Sequence, residues 1–195
     1  MSAEATRVLQ SSTTALGISL VSKDQVSADL YLADLARQIA EFLSDDRRGI
    51  LKREGGVITL VDLWAIYNRA RGIDLISPTD MEKAASLFEK LKLPVRLRRF
   101  RSGLLVVQEA GHTDEATIKR ILGWVRGPTD IDVAEAISTR EWGRGVTAIE
   151  AAENFGWSVG VASEELEMAE EKGHLCREVG VEGVRFWENF LVSVA

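Results

Sequence analysis

The stretch from Gly56 to Glu109 leaves few ways for this chain to fold, because its helix starts, helix stops and turns are all spelled out. Thr59-x-x-Asp62 and Ser77-x-x-Asp80 each put a hydroxyl three residues before a carboxylate, a pairing that satisfies open N–H groups at the start of a helix. Behind the first pair, Leu60, Leu63, Trp64 and Tyr67 recur at helical spacing until Gly72, which predicts a helix over 60–71. Behind the second, Pro78 suits the first helical turn. Met81, Ala84, Ala85, Phe88 and Leu91 then form one narrow apolar stripe, predicting a helix over 78–92. The period changes after that. Two short β-like runs, Pro94–Phe100 and Gly103–Gln108, follow; in the first, Val95 and Leu97 are directed to one face and Arg96 and Arg98 to the other. Arg101-Ser102-Gly103 between the runs suits a short hairpin turn.

Helix, helix, hairpin is the back half of a winged helix, and the front half is legible upstream. Ala28, Leu32, Leu35, Ala36, Ile39 and Phe42 mark a helix from Ser27 to about Leu43. The run Asp45-Asp46-Arg47-Arg48 breaks it, and Gly55-Gly56 turns the chain. The same order recurs from Thr113. Ile118, Ile121, Leu122 and Val125 carry one helix, Thr147-x-x-Glu150 opens a short one to Phe155, and Ser158 caps another that stops at Gly173. His174–Val179 and Val184–Trp187 supply a second hairpin. The expectation is a mainly α chain with small β hairpins, an α+β fold of tandem winged-helix domains. A linker or tail covers 1–26, the first domain 27–110 and the second 111–195, with an insertion near 127–142 where Gly127-Pro128 and the helical pattern Ile131–Trp142 interrupt the second plan. In the tail, Ser11-Ser12-Thr13-Thr14 reads as linker, and the apolar run Leu16–Val21 suits docking on a neighbour.

A winged helix most often reads DNA by laying its third helix in the major groove. The helix beginning at Pro78 carries Asp80, Glu82 and Glu89 against Lys83, Lys90 and Lys92, a net charge of zero. Its counterpart from Ser158 carries Glu164, Glu165, Glu167, Glu170 and Glu171 against Lys172, a net of −4, within a chain whose formal net charge is −6. Phosphate contacts need cations, so the second unit is excluded from a DNA groove. Arg96, Arg98, Arg99 and Arg101 in the first wing point the other way. They read either as a contact for an acidic partner, acidic lipid or phosphate, or as a solvated strand face paired with local carboxylates. A nucleic-acid-binding regulator using this wing is the alternative to a protein-binding module.

Nothing in the sequence assembles a catalytic or cofactor site. His112 and His174 sit at element boundaries, where a histidine satisfies terminal carbonyls, and Cys176 lacks a recognisable third partner for a dyad with His174. No phosphate-cradling glycine loop, metal-ligand spacing or nucleophile elbow occurs, so no enzyme, cofactor or metal is expected. The single cysteine fits a reducing compartment, and no run approaches a membrane span or a signal peptide. The aromatic residues Trp157, Phe186, Trp187 and Phe190 of the second unit read either as core or as part of a partner-binding interface.

Specific residues add a resemblance. Asn68-Arg69-Ala70-Arg71-Gly72, Leu75-Ile76-Ser77-Pro78-Thr79-Asp80 and Leu91-Lys92-Leu93-Pro94-Val95-Arg96-Leu97-Arg98 closely resemble the EAP30-type subunits of the ESCRT-II complex. Glu171-Lys172-Gly173-His174-Leu175-Cys176-Arg177 and Val181-Glu182-Gly183-Val184-Arg185-Phe186 extend the likeness, which covers about Val26 to Phe190 and is strongest to the member bearing an N-terminal GLUE domain. The resemblance implies a non-enzymatic scaffold that sorts ubiquitinated membrane cargo into multivesicular bodies, cytoplasmic and peripheral on endosomal membranes. The implied partners are the sibling EAP30-type subunit and a small subunit with Pro-Pro-x-Tyr-like motifs, the latter received by the second winged helix in a hetero-oligomer. No GLUE domain precedes the match, so the phosphoinositide and ubiquitin binding of that domain is not carried onto this chain, and the segment Gly127–Trp142 has no counterpart.

Overall fold

The computed structural model describes residues 23–45, 49–72, 75–127 and 144–191. The tail with Ser11–Thr14 and Leu16–Val21, residues 46–48 of the charged break, and the stretch 128–143 with its helical pattern lie outside the described residues. The first unit comprises α1 (Lys23–Ser44), α2 (Ile50–Arg53), β1 (Val57–Thr59), α3 (Leu60–Arg71), α4 (Pro78–Ala85), β2 (Val95–Arg99) and β3 (Leu105–Glu109). The second comprises α5 (Asp114–Arg126), α6 (Ala148–Phe155), α7 (Val159–Glu171), β4 (Leu175–Gly180) and β5 (Gly183–Glu188).

The helix starts follow the capping chemistry of the sequence. Thr59, Ser77, Thr113, Thr147 and Ser158 each accept a hydrogen bond from a backbone N–H in the first turn. At Thr147 the reciprocal arm is also made, with its N–H donating to Glu150 Oε2 at 2.7 Å. Each such cap contributes about 1 kcal/mol.

One helix is shorter than its pattern. Regular α4 ends at Ala85, and 86–92 continue as tighter turns, Leu87 N–H bonding Ala84 O and Phe88 N–H bonding Ala85 O. Ser86 Oγ donates to the Lys83 carbonyl at 2.6 Å, which draws that acceptor toward the side chain. The run closes at Lys92, φ 53°, with Lys92 N–H on Glu89 O and Leu93 N–H on Phe88 O. This is the Schellman pattern that normally uses glycine. In the second unit Gly173, φ 80°, holds the same place after α7, with the same two bonds.

The sequence showed no signal for β1, yet it completes the first sheet. The strand order is β1-β3-β2, all antiparallel, and the register aligns Val57, Gln108 and Arg96 in one row and Ile58, Val107 and Leu97 in the next. Successive rows face opposite ways. Ile58, Val107, Leu97 and Val95 join the first core with Ile39 of α1, Leu63 and Tyr67 of α3, and Met81 and Phe88. The opposite face sends Val57 and Val106, with Phe100 from the turn, into the second core among Ile118, Ile121, Val161, Leu166 and Phe186. Both faces of the wing sheet are therefore covered, whereas a three-stranded antiparallel sheet ordinarily leaves one face in water. In the second unit, a bridge from Val146 to Phe186 stands where β1 stands in the first, and β4 and β5 pair around a two-residue turn.

The α3–α4 connection is pinned by Asn68, whose side chain accepts from Ile76 N–H at 2.8 Å and donates to Ile76 O at 3.1 Å. Trp64 Nε1 donates to the same carbonyl at 2.8 Å. Asn68→Ala leaves the buried Ile76 N–H without its acceptor and lowers stability by about 1–3 kcal/mol, read as a shift in the urea midpoint at constant slope. An unchanged midpoint would show that the loop is held by other means.

Candidate protein-interaction site

The arginine wing and the acidic helix meet each other. Arg98 leaves the second-core face of β2, and its guanidinium bonds Glu165 Oε1 of α7 at 2.7 Å, with Asp114 of α5 at 3.3 Å. The same guanidinium lies 4.3 Å from the Phe100 ring centre and 3.4 Å from Gln108 Oε1. Glu165 is fully buried, and Arg98 keeps 14% of its side chain exposed. Asp114 also takes Lys172 Nζ at 2.9 Å, so one carboxylate joins the wing cation to the end of α7. Farther out, Arg101 pairs with Glu171. Arg96 donates to the His112 carbonyl at 2.6 Å, as does Gln108 at 2.7 Å, and this ties the sheet to the turn that enters the second unit. Only Arg99 stays on the first unit alone, 3.9 Å from Glu82 and 65% exposed. Of the reading as a solvated face paired with carboxylates, the pairing holds at Arg98, Arg99 and Arg101 and the exposure at Arg99 and Arg101. Arg96 and Arg98, in contrast, lie between the units because their strand face closes the second core.

Burial and charge act against each other here. Burial pushes the Glu165 carboxyl above its ordinary value, and Arg98 offsets this only in part; Glu165 Oε2 has no partner. Burial works in the same direction on Asp114, but the Lys172 hydrogen bond, with Arg98 close by, holds it below the usual range. His112 is depressed by burial first, then by the positive charges of Arg120, Arg98 and Arg96, which favours the neutral ring. Its Nε2 lies 2.8 Å from Thr117 Oγ1, a bond that ties the turn before α5 to the helix.

A second contact uses shape. Gly55, φ 63°, lies so close to the α6–α7 turn that a Cβ there would overlap the Phe155 carbonyl and approach Trp157 Cδ1 to 2.6 Å. Trp157 Nε1 donates to Gly55 O at 3.1 Å and its ring stacks on Phe155 at 4.4 Å. Opposite, a Cβ on Gly156 would stand 3.1 Å from the Arg53 carbonyl. The two units thus close at a pair of glycines on one side and a pair of ions on the other.

The four aromatic candidates divide. Trp157 and Phe186 are buried in the second core and contribute almost no surface to a groove. Trp187 stands on the outer face of the β4–β5 hairpin beside Cys176, packs on Gly145 and donates to Glu178 at 2.9 Å. Phe190 is exposed just past the hairpin, where Asn189 holds the chain by donating to Gly173 O at 2.9 Å. Elsewhere, an apolar cleft of about 450 Å³ opens between the starts of α3 and α4 and the wing turn, with Met81 as floor and Trp64, Leu104 and Leu105 as walls. Val61 on its rim is 71% exposed. Cys176 directs its thiol to the Glu188 carbonyl at 3.9 Å, and among the described residues no group of three acidic, histidine or cysteine side chains converges to hold a metal ion.

Tandem winged helices in which the basic wing of the first unit lies against the acidic third helix of the second define a module whose wing charge is engaged within the chain. The chain belongs to the EAP30/Vps36 family, whose sequence profile matches residues 2–179. It is 37% identical to vacuolar protein-sorting-associated protein 36 of Xenopus laevis over 163 residues, 84% of this chain and 37% of that one. It is 40% identical to the Danio rerio protein of the same name over 152 residues, 78% of this chain and 36% of that one. The chain thus spans less than two fifths of the length of these curated relatives. Its fold is that of a subunit in the solved structure of the ESCRT-II endosomal trafficking complex, with a TM-score of 0.56, 23% identity, and coverage of 83% of this chain and 92% of that one.

Arg98→Met keeps the length of the side chain but strands Glu165, and breaking a buried pair costs about 3–5 kcal/mol near neutral pH. A carboxyl whose folded pKa is raised stabilises the fold below its unfolded value and loses that contribution as pH rises through the folded one. The penalty should therefore be smaller at about pH 5 than at about pH 8. Release of His112 from the Arg98 charge acts in the same sense. Urea midpoints of wild type and variant at both pH values check this, and an equal or larger penalty at the lower pH would contradict it.

Proposed function

We propose that this chain is the tandem winged-helix part of an ESCRT-II subunit. In this reading it is a non-enzymatic scaffold that joins the sibling EAP30-type subunit and a small subunit with Pro-Pro-x-Tyr-like motifs. The assembly acts in the cytoplasm, peripheral on endosomal membranes, and sorts ubiquitinated cargo into multivesicular bodies. The observation that carries the reading is the engagement of the wing: Arg98 and Arg101 bind Glu165 and Glu171 of the same chain. Arg98, a cation that a nucleic-acid reader would present, is occupied within the chain, and the cleft around Trp64 offers an open apolar surface.

Family membership supports the partners proposed, and the second unit is the proposed seat of the small subunit. With Trp157 and Phe186 in the core, Trp187 and Phe190 are the aromatic side chains left to meet a proline-rich segment. Apolar contacts of this kind are weakly screened by salt.

Co-expression with the two subunits, followed by mass measurement of the purified complex in low and high salt, tests the assembly. A hetero-oligomer stable in both is the expected result, and a monomer indifferent to both subunits would overturn the reading. Trp187→Ala and Phe190→Ala should each weaken small-subunit binding by about 2 kcal/mol, with the circular dichroism of the chain unchanged. Unaltered affinity in both folded variants would move the site elsewhere on the second unit.

A further inference from the structure

The arginine-rich wing ends in a hydroxyl that the assembly reading does not use. Ser102 is exposed at the tip of the β2–β3 turn, and its oxygen accepts a single bond, from Leu104 N–H at 3.2 Å. Arg99 lies three residues before it and Arg101 one before, with 65% and 84% of their side chains exposed. Kinases that select basic substrates do so through acidic pockets for such arginines on the N-terminal side of the acceptor. Arg98, one residue farther back, is buried on Glu165, so the readable segment begins where the anchored strand ends.

We propose that Ser102 is a phosphorylation site for a basophilic serine/threonine kinase. The Ser102 oxygen attacks the γ-phosphorus of ATP, and the bond from that phosphorus to the β,γ-bridging oxygen breaks. ADP leaves, and the hydroxyl proton passes to the catalytic carboxylate of the kinase. The fold permits the approach because β2 is an outer strand of its sheet. The turn opens by release of two backbone bonds, Phe100 N–H to Leu104 O at 2.9 Å and Gly103 N–H to Phe100 O at 3.0 Å, and of the Ser102 oxygen from Leu104 N–H. The Phe100 ring stays in the second core and the β1–β3 pairing is untouched.

The modification would act on the contact between the units. A phosphoserine carries about −1.5 to −2 charges at neutral pH and binds guanidinium groups strongly. Arg101 now faces Glu171 across the junction, next to Glu170 on the same helix. A phosphate one residue from Arg101 competes for that guanidinium and repels both glutamates, so the outer ion pair is exchanged while the buried Arg98–Glu165 pair remains.

The test is phosphate mapping by mass spectrometry after the folded chain is incubated with the catalytic subunit of a cAMP-dependent protein kinase and magnesium ATP. Phosphate is expected on Ser102, absent from Ser102→Ala, and formed about tenfold more slowly in Arg99→Ala, the loss of one recognised cation. No phosphate on Ser102, or an undiminished rate in Arg99→Ala, overturns the proposal. So does phosphate on a free peptide spanning residues 94–106 with none on the folded chain, because the turn then does not open.

Discussion

The ion pair between Arg98 and Glu165 is the constraint around which the two units are arranged. It joins a strand of one winged helix to the third helix of the other, with Glu165 wholly removed from water. Such a pair is weak as a source of net stability, since desolvation of both ions cancels much of their attraction. Its effect is on geometry. Once Glu165 is buried it requires its cation, and Arg98 can supply that charge only if the second-core face of the wing sheet lies flat on α7. Val57, Val106 and Phe100 then fall into the second core, each contributing about 1.5–3 kcal/mol of apolar burial. Gly55 and Trp157 close the far side at a distance that no other residue at 55 would allow. Ions set the register, and apolar contact holds it.

This arrangement inverts the customary use of the fold. A winged helix that reads DNA keeps its third helix and wing free for the groove and the phosphates. Here the wing of the first unit has the acidic third helix of the second as its ligand, so the charge that might have met a polyanion is neutralised within the chain. Of the wing cations, only those at the tip, Arg99 and Arg101, stay largely in water, and the apolar cleft beside Trp64 suits a partner bound by shape. Membership of the EAP30/Vps36 family agrees with that chemistry.

Much of each unit was legible in the sequence, and the reason is local. Caps, stops and apolar stripes act within one helix turn, so Thr59, Ser77, Thr113, Thr147 and Ser158 announce their helices without reference to anything distant. The contact between units was not legible, although both halves of it were in view. The wing carried unexplained arginines and the second unit's third helix carried unexplained glutamates, and only the fold shows that the two are complementary. Trp157 and Phe186 could not be divided between core and interface for the same reason. An aromatic residue fits either until the strand that covers it is known, and β1, which supplies Val57, is too short for its alternation to stand out. Glu165 carried no local mark at all; among five glutamates on its helix, burial alone distinguishes it.

The central claim is that the two winged helices form one cooperative body through the buried junction. Native-state hydrogen exchange in rising denaturant tests it most directly, comparing amides of α3, in the first core, with those of α7, in the second. The account predicts that the slowest amides of both helices exchange through one opening, with the same free energy and the same denaturant slope. A lower free energy and a shallower slope for α7, with α3 still protected, would show that the second unit opens alone and that the junction does not bind the two together.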